Sequence, residues 1–319
     1  MKLLFALCLV LLGHLLFSQK ILVLNDGTAI EYKKVKLKGD VVMVKPSNGK
    51  NMEIPGHSIE RREDIHDRST RYLRPCENCL GGASELGKVK VMSDYTLGGS
   101  SRYAFMELDL EGEAKLFKRS EYTSSYAGAG PPMAGGLPGP GIYTSTSNHL
   151  NFIQRDTTFA LLFGTESKKN RMAKRRERLD FMKNSFEDDS IIVDKVSDSD
   201  FLGNYASIRI LLNEYNVRTF SLDDKETTLG QVTFLRTLKE QVDQPVAISI
   251  NGELVHKGLM PEFMTTLDLS SNKPSKVCFN DYCELITASA YYTKVIDIKY
   301  KGKAVGYKLN TLEGEEARH

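Results

Sequence analysis

The chain is poor in several residue types that carry chemistry. Its 319 residues include no tryptophan, five cysteines and six histidines, and no Asn-x-Ser/Thr sequon is present. No histidine has the HExxH spacing of a zinc protease or accompanies a GxSxG serine, so neither hydrolase signature occurs. The missing sequon mildly favours a bacterial over a eukaryotic secretory origin. The sequence therefore predicts no catalytic set.

Motifs for a bound cofactor or metal are also incomplete. Residues 82–88 match a phosphate-binding loop, but the final Ser/Thr that would bind magnesium is missing. Residues 198–203 begin like a calcium loop, but Leu202 occupies a ligand position and Arg209 replaces the bidentate acid. We therefore predict neither a cofactor nor a metal ion.

The chain lacks a strong charge of one sign. Lys and Arg total 43 against 41 Asp and Glu, which gives a formal net charge of +2. Charged residues are 26% and hydrophobic residues 41% of the chain, which is typical of a folded globular protein. With no strong overall field, the composition favours neither nucleic acid nor a membrane surface as a partner.

Only one long hydrophobic run is present, and it lies at the N-terminus. Lys2 precedes an apolar run over residues 3–17, and the small residue Ser18 follows it. This pattern predicts a signal peptide over residues 1–18, because the run is shorter than the roughly 20 residues needed to span a bilayer. An uncleaved N-terminal anchor is one alternative, and a lipoprotein anchor at Cys8 is another. We expect a secreted or periplasmic mature chain without a transmembrane span.

Export changes the interpretation of the cysteines. Removal of the signal peptide leaves an even number of them, as expected in a compartment where disulfides persist. These four disulfide candidates are Cys76, Cys79, Cys278 and Cys283. A redox motif at residues 76–79 lacks the expected flanking strand and helix, and a four-cysteine zinc site would need pairs much closer in sequence. Both alternatives remain open but are disfavoured.

The segment CFNDYC, residues 278–283, predicts a hairpin with a two-residue loop. Cys278 and Cys283 would then face each other at a non-hydrogen-bonded position with Cα atoms about 4.5 Å apart, which a disulfide can bridge. Such a short loop contributes roughly 2 kcal/mol, whereas a cross-link from Cys76 to Cys278 would contribute on the order of 5 kcal/mol. Geometry favours the local disulfide, which we prefer.

Alternating apolar residues and turn dipeptides divide the chain into modules. Residues 19–65 predict a small SH3-like or Sm-like barrel, and residues 72–165 predict a second β-rich block. The charged segment at residues 60–71 resembles a linker or a short helix. Within the second block, residues 122–148 form an insertion whose core at residues 127–141 has ten Gly or Pro. We predict a surface loop there, with Tyr122, Tyr126 and Tyr143 as possible contact residues.

The periodicity changes from 2 to 3.6 within residues 166–222, which predicts a helical segment. Met172, Leu179, Met182 and Phe186 share one face of a first helix, and Asn216 is a plausible end for a later one. The first helix is basic, with seven Lys or Arg within residues 168–178. A solvated face is the ordinary explanation of this run. The alternative is anion contact through Lys174, Arg175 and Arg176.

The last module, residues 230–319, again predicts strands and is β-sandwich-like. INGE at residues 250–253, followed by Pro261, resembles the opening of PEGA-type β-sandwich modules of bacterial envelope proteins. The overall layout, with GEAKLF at residues 112–117 and EYN at residues 214–216, resembles uncharacterised exported multi-module proteins of Gram-negative bacteria. This resemblance implies no catalytic residue.

Taken as a whole, the sequence predicts a mainly β protein, α+β overall. We expect an exported, non-enzymatic protein that binds, scaffolds or associates with the cell envelope, with a protein or an envelope polymer as its partner. An exposed strand edge is a candidate binding surface. The alternative is an exported hydrolase or carbohydrate-active enzyme with a cleft between modules and with Asp188, Asp189 and Asp198 as candidate acids.

Overall fold

The computed structural model describes nine segments of the chain, and they confirm a mainly β fold. These segments are residues 19–75, 90–92, 102–127, 142–156, 158–164, 171–222, 227–237, 244–300 and 307–314. Strands make up 53% of the structure, and three helices make up 19%. The signal peptide predicted at residues 1–18 lies outside the described residues.

The first half of the chain forms one eleven-stranded sheet. Its strands are β1 (Lys20–Leu24), β2 (Ala29–Lys38), β3 (Val41–Pro46), β4 (Met52–Pro55), β5 (Ile59–Asp64), β6 (Ser69–Pro75), β7 (Lys90–Met92), β8 (Tyr103–Leu110), β9 (Ala114–Ala127), β10 (Ile142–Arg155) and β11 (Thr158–Phe163). Their order is β11-β10-β9-β8-β6-β5-β1-β2-β3-β4, and β7 pairs with β9. A short 3-10 helix, Gly56–Ser58, precedes β5.

The charged segment predicted as a linker or short helix is instead part of this sheet. Residues 59–64 and 69–75 form β5 and β6, and antiparallel pairing of β6 with β8 joins the predicted barrel to the predicted middle block. The charges are accommodated by pairing, because Arg61 binds Glu60 at 2.6 Å and the buried Glu63 at 2.7 Å. The prediction of a linker or short helix was therefore wrong, because the ionic side chains of these strands neutralise one another.

Three helices pack on the β8–β11 part of the sheet. They are α1 (Arg171–Ser185), α2 (Ser190–Ser197) and α3 (Tyr205–Thr219), and the side chains of Asp189 and Asn204 cap the N-termini of α2 and α3. The helices share a buried core with the sheet, which includes Leu116, Ile153, Met182, Phe186, Ile192, Ile208, Leu211, Leu212 and Tyr215. Met172 is exposed and lies outside this core, contrary to the periodicity.

The C-terminal module is a sandwich of two four-stranded sheets. Its strands are β12 (Leu229–Leu235), β13 (Val246–Ile250), β14 (Glu253–Leu259), β15 (Met264–Ser270), β16 (Ser275–Phe279), β17 (Tyr282–Ile286), β18 (Lys294–Tyr300) and β19 (Tyr307–Leu312). The sheet orders are β15-β12-β18-β19 and β14-β13-β16-β17, and β12 pairs with β18 in parallel. Both sheets contribute to one core, which includes Val232, Phe234, Ile248, Val277, Phe279 and Ile296.

The turns of this module follow the sequence closely. Asn251 and Gly252 connect β13 to β14, and both have positive φ values, 52° and 91°, as the type I′ turn of a two-residue hairpin requires. Asn251 also exchanges hydrogen bonds with the backbone of Lys276 on the neighbouring strand. Among the described helices, none is both long enough and apolar enough to cross a bilayer.

Candidate functional site

The CFNDYC segment forms the predicted hairpin and disulfide. Phe279 pairs with Tyr282, Cys278 pairs with Cys283, and the Cα atoms of the two bonded cysteines are 3.9 Å apart. Asn280 in the loop has a positive φ of 53°, which asparagine tolerates better than most residues. This disulfide excludes the long cross-link to Cys278 and a zinc site that uses these two thiols. Cys76 and Cys79 lie outside the described residues.

The three tyrosines predicted to lie in a loop are instead on strands. Tyr122 and Tyr126 belong to β9 and Tyr143 to β10, and the backbone of Tyr126 pairs with that of Tyr143. The residues around the Gly/Pro-rich core are rich in Tyr, Thr and Ser, and the aromatic and β-branched members favour strands, so the ladder continues to Ala127 and from Ile142. The core at residues 128–141 lies outside the described residues, and its role as a contact loop stays a prediction.

The basic residues of α1 form contacts within the protein. Lys174 pairs with Glu177 at 2.6 Å, and Arg175 donates a hydrogen bond to the carbonyl of Phe201. Arg178 is buried, with its guanidinium 4.4 Å from the centre of the Phe163 ring. Arg176 is exposed. Lys174 and Arg175 therefore have partners of their own, and an anion-binding role for these residues stays a prediction.

The acids proposed for a hydrolase have structural contacts. Asp188 accepts two hydrogen bonds from Arg155, at 2.8 and 2.6 Å, and this bonding holds the pKa of Asp188 below its usual value. Asp189 caps α2 by accepting from the backbone of Ile192 at 3.0 Å. Asp198 accepts from the backbone nitrogen of Asp200. These three carboxylates stabilise the helical segment and do not line either cavity described below.

A charged junction connects α3 to both neighbouring modules. Arg209 on α3 binds Asp109 of β8 at 3.1 Å and Glu284 of β17 at 2.8 Å. Lys118 and the Tyr205 hydroxyl also donate to Asp109. We call this set the α3 junction. It ties the eleven-stranded sheet, the helices and the sandwich together through side chains that are largely buried.

The two carboxylates of the α3 junction have pKa values shifted in opposite directions. Burial raises the pKa of Glu284 above its usual value, and the attraction of Arg209 offsets only part of that effect. Burial also opposes ionisation of Asp109, but Arg209 and Lys118 outweigh it and lower the pKa of Asp109. Asp109 accepts hydrogen bonds from Lys118, Tyr205 and Arg209, whereas Glu284 accepts them from Arg209 and Tyr282.

Asn216 connects α3 to the turn between β8 and β9. Its side-chain oxygen accepts from the backbone nitrogen of Ala114 at 2.9 Å, and its nitrogen donates to the carbonyls of Glu111 and Ala114. Gly112 in this turn has a φ of 143°, and a Cβ there would lie 2.2 Å from the Asn216 side chain. The prediction that Asn216 ends the helix is therefore wrong. Asn216 lies within α3, which continues to Thr219.

A cleft lies between the eleven-stranded sheet and the C-terminal residues. It has a volume of about 290 Å³ and includes Lys20, Asp64, Asp67, Arg71 and Glu313 in its lining. Arg71 binds Glu313 at 2.6 Å, and Lys20 binds Asp64 at 3.2 Å. Two of the three acids named here are therefore held by cations, which suits an ionic connection between modules better than general acid catalysis.

The outer corner of the sandwich exposes apolar side chains. Within the described residues, β14 and β15 are terminal strands of their respective sheets, and residues 260–263 connect them. Three large apolar residues are exposed where this connection meets β15, and we call them the apolar corner: Met260, Phe263 and Met264. Leu254 and Val255 are also exposed, but they lie near the β13–β14 turn at the opposite end of β14. Phe263 and Met264 keep 64% and 72% of their surface accessible. Such clusters on soluble proteins mark interaction sites more often than isolated exposed residues do.

A cavity of about 510 Å³ lies at the other end of β15, where the chain leaving α3 meets the sandwich. Most of its wall is apolar, and Asp268, Lys273 and several serines supply polar groups at its edge. The apolar lining residues are Phe220, Leu222, Leu229, Ile250, Leu269 and Pro274. This volume accommodates one large side chain or a small ligand. Among the described residues, its lining includes a single carboxylate and no histidine.

Comparison of the chain with protein-family models, curated proteins and solved structures finds no match. The candidate site is therefore defined by geometry, as the apolar corner, β15 and the adjoining cavity. Sequence reasoning predicted an exposed strand edge but no residues for it. The adjacent Phe263 and Met264, which follow Pro261 and precede a strand-like run, were the available signal.

Proposed function

We propose that this protein is an exported, non-enzymatic binding or scaffolding protein of the cell envelope, and that the apolar corner is its contact surface. The observation that carries the proposal is the exposure of three large apolar side chains at the connection between two terminal strands. Burial of such a surface against a partner is favourable by about 25 cal/mol for each Å² of apolar area. Terminal strands additionally offer backbone groups for pairing.

The position of the surface supports this function. The α3 junction connects the sandwich to the rest of the protein on the β17 side, whereas the apolar corner lies at the β14 and β15 ends of the two sheets. A partner can therefore bind the corner without displacing any ionic contact of the junction. A hydrolase would instead need catalytic groups in a cleft, and the three candidate acids are engaged in caps and ion pairs.

Site-specific photo-crosslinking in the native host tests the proposal. A photoreactive phenylalanine analogue replaces Phe263 at the corner or, as a matched control, the exposed Leu161 on β11. We expect a discrete adduct in the secreted or periplasmic fraction from position 263 and none from position 161. Excess purified wild-type protein should suppress the adduct, because the contact is saturable, and a Phe263→Glu/Met264→Glu protein should not.

Two results would contradict the proposal. One is equal labelling from both positions, or no adduct from position 263. The other is cleavage of polymeric substrates by the purified mature protein in a broad activity screen, which would favour the hydrolase.

A further inference from the structure

We propose that β15 receives an extended segment of a partner protein as an added strand. One apolar side chain of that segment would enter the 510 Å³ cavity, and a Lys or Arg of the segment would pair with Asp268. This inference rests on the proposed binding function and specifies the class of partner. The added strand would bind through backbone hydrogen bonds, and the cavity would select among sequences.

The pairing pattern of β15 shows which of its backbone groups face outward. The Arg236 nitrogen donates to the Phe263 carbonyl, and the Ser271 nitrogen donates to the Thr228 carbonyl, at the two ends of the ladder with β12. Hydrogen-bonded pairs alternate along an antiparallel ladder, so the odd-numbered residues from 263 to 271 bond to β12. The N–H and C=O groups of Met264, Thr266 and Asp268 therefore point away from it.

The β15 edge is also regular, in contrast to β14. All seven residues of β15 pair in sequence with β12, from Met264 opposite Leu235 to Ser270 opposite Leu229. β14, the terminal strand of the other sheet, has two register shifts against β13. Bulges of this kind are a common protection of terminal strands against unwanted pairing. Within the described residues, β15 lacks that protection and matches the spacing of an incoming strand.

The chemistry around β15 indicates what the segment contains. Asp268 is exposed on β15, lines the cavity and forms no ion pair with any described residue. A cationic side chain on the incoming strand would lie opposite Asp268 and pair with its carboxylate. Leu229, Ile250 and Leu269 in the cavity wall would surround an apolar side chain of the same segment. The expected partner sequence therefore combines a basic residue with apolar residues at alternate positions.

The probe for the experiment is a peptide selected from a displayed library of random dodecapeptides against the whole mature protein. Affinity is measured by calorimetry for the wild type, Thr266→Pro and Thr266→Val. Both substitutions lose the side-chain contact to Thr233 on β12. Proline also removes the outward N–H without breaking a backbone bond to β12, whereas valine keeps that N–H. We expect proline to weaken binding about tenfold and valine to leave it nearly unchanged.

A second variant tests the charge. Asp268→Asn should weaken binding severalfold and reduce the salt dependence of the affinity, since one cross-strand ion pair is lost. Backbone amide exchange of Met264, Thr266 and Asp268 should slow when the peptide is bound.

The failures can be told apart. Equal binding by the proline and valine variants, or recovery of no saturable peptide, overturns strand addition, while the crosslink at position 263 would still support the binding function. Dimerisation of the protein alone that Thr266→Pro abolishes would assign β15 to a second copy and also overturn the proposal. Loss of both the peptide and the crosslink would overturn the proposed function itself.

Discussion

The α3 junction and the β15 edge are opposite solutions to the placement of polar groups. In the α3 junction, Arg209 binds two carboxylates, and the side chains of Asp109, Arg209 and Glu284 are at most 16% exposed. At the β15 edge, alternate backbone groups point away from the sheet, and apolar side chains face solvent. The first arrangement is internally satisfied, whereas the second leaves backbone groups and apolar side chains open to solvent or to a partner.

This difference separates a structural polar cluster from a candidate binding surface. Clusters of charged residues attract attention in a sequence, but those described here mostly neutralise each other within the protein. The surface that exposes backbone hydrogen-bonding groups and apolar side chains is made of residues without charge, such as Thr266 and Met264. Satisfaction of hydrogen bonds and burial of apolar area therefore identify the candidate site better than charge does.

The largest expected effect comes from breaking the α3 junction. Arg209→Met should destabilise the protein by about 3–5 kcal/mol in urea unfolding, because it leaves the buried Glu284 without its cation. The matched control is Arg218→Met on the same helix. Arg218 is 37% exposed and pairs with Asp189, so its loss should cost less than about 1 kcal/mol. Equal costs for the two variants would show that the junction does not stabilise the fold.

A smaller loss is expected from the contact between α3 and the β8–β9 turn. Asn216→Ala should cost about 3 kcal/mol, because it leaves three backbone groups at Glu111 and Ala114 without partners. Asn213→Ala, one turn earlier, removes a single bond to the Cys283 carbonyl and should cost about 1 kcal/mol. Urea midpoints at constant slope measure both, and the reverse order would contradict this account of the contact.

The smallest effect is a difference in pH dependence between the two carboxylates of the α3 junction. Asp109 has a lowered pKa, so its contribution to stability is present above its unfolded pKa and is lost as the pH falls through the folded value. The destabilisation caused by Asp109→Asn should therefore shrink in acid. Glu284 has a raised pKa, so its favourable contribution is lost as the pH rises through the folded value.

Glu284→Gln should consequently gain stability relative to the wild type as the pH rises. Unfolding free energies measured from pH 3 to pH 7 check both signs, and one pKa unit corresponds to about 1.4 kcal/mol. Parallel curves for the two variants would show that Asp109 and Glu284 titrate alike.

Local patterns were predictable from the sequence, whereas the α3 junction was not. The CFNDYC hairpin depends on six consecutive residues, so both its register and its disulfide followed from turn chemistry. Asp109, Arg209 and Glu284 are far apart in the chain, and only the folded structure brings them together. The strand periodicity of β15 was visible, but whether it would lie inside or at the end of a sheet was not.

Two predictions were wrong because a tertiary contact outweighed a local preference. Asn216 often marks the end of a helix, yet here it lies inside α3 because the β8–β9 turn satisfies its side chain. The charged residues of β5 and β6 resemble a linker, yet they form adjacent strands of the sheet. In both cases the partner that changes the outcome is absent from the local sequence.

The parallel pairing of β12 with β18 has a consequence for biosynthesis. Val232 pairs with Lys294, so the side of β12 that pairs with β18 stays unpaired until the ribosome has synthesised about sixty further residues. The hairpins β13–β14 and β16–β17 can close during that interval, whereas the other sheet cannot be completed. The half-made sandwich would leave one long side of β12 unpaired, because β15 covers only the other side, and a truncated chain that ends before β18 would be an early target for proteases.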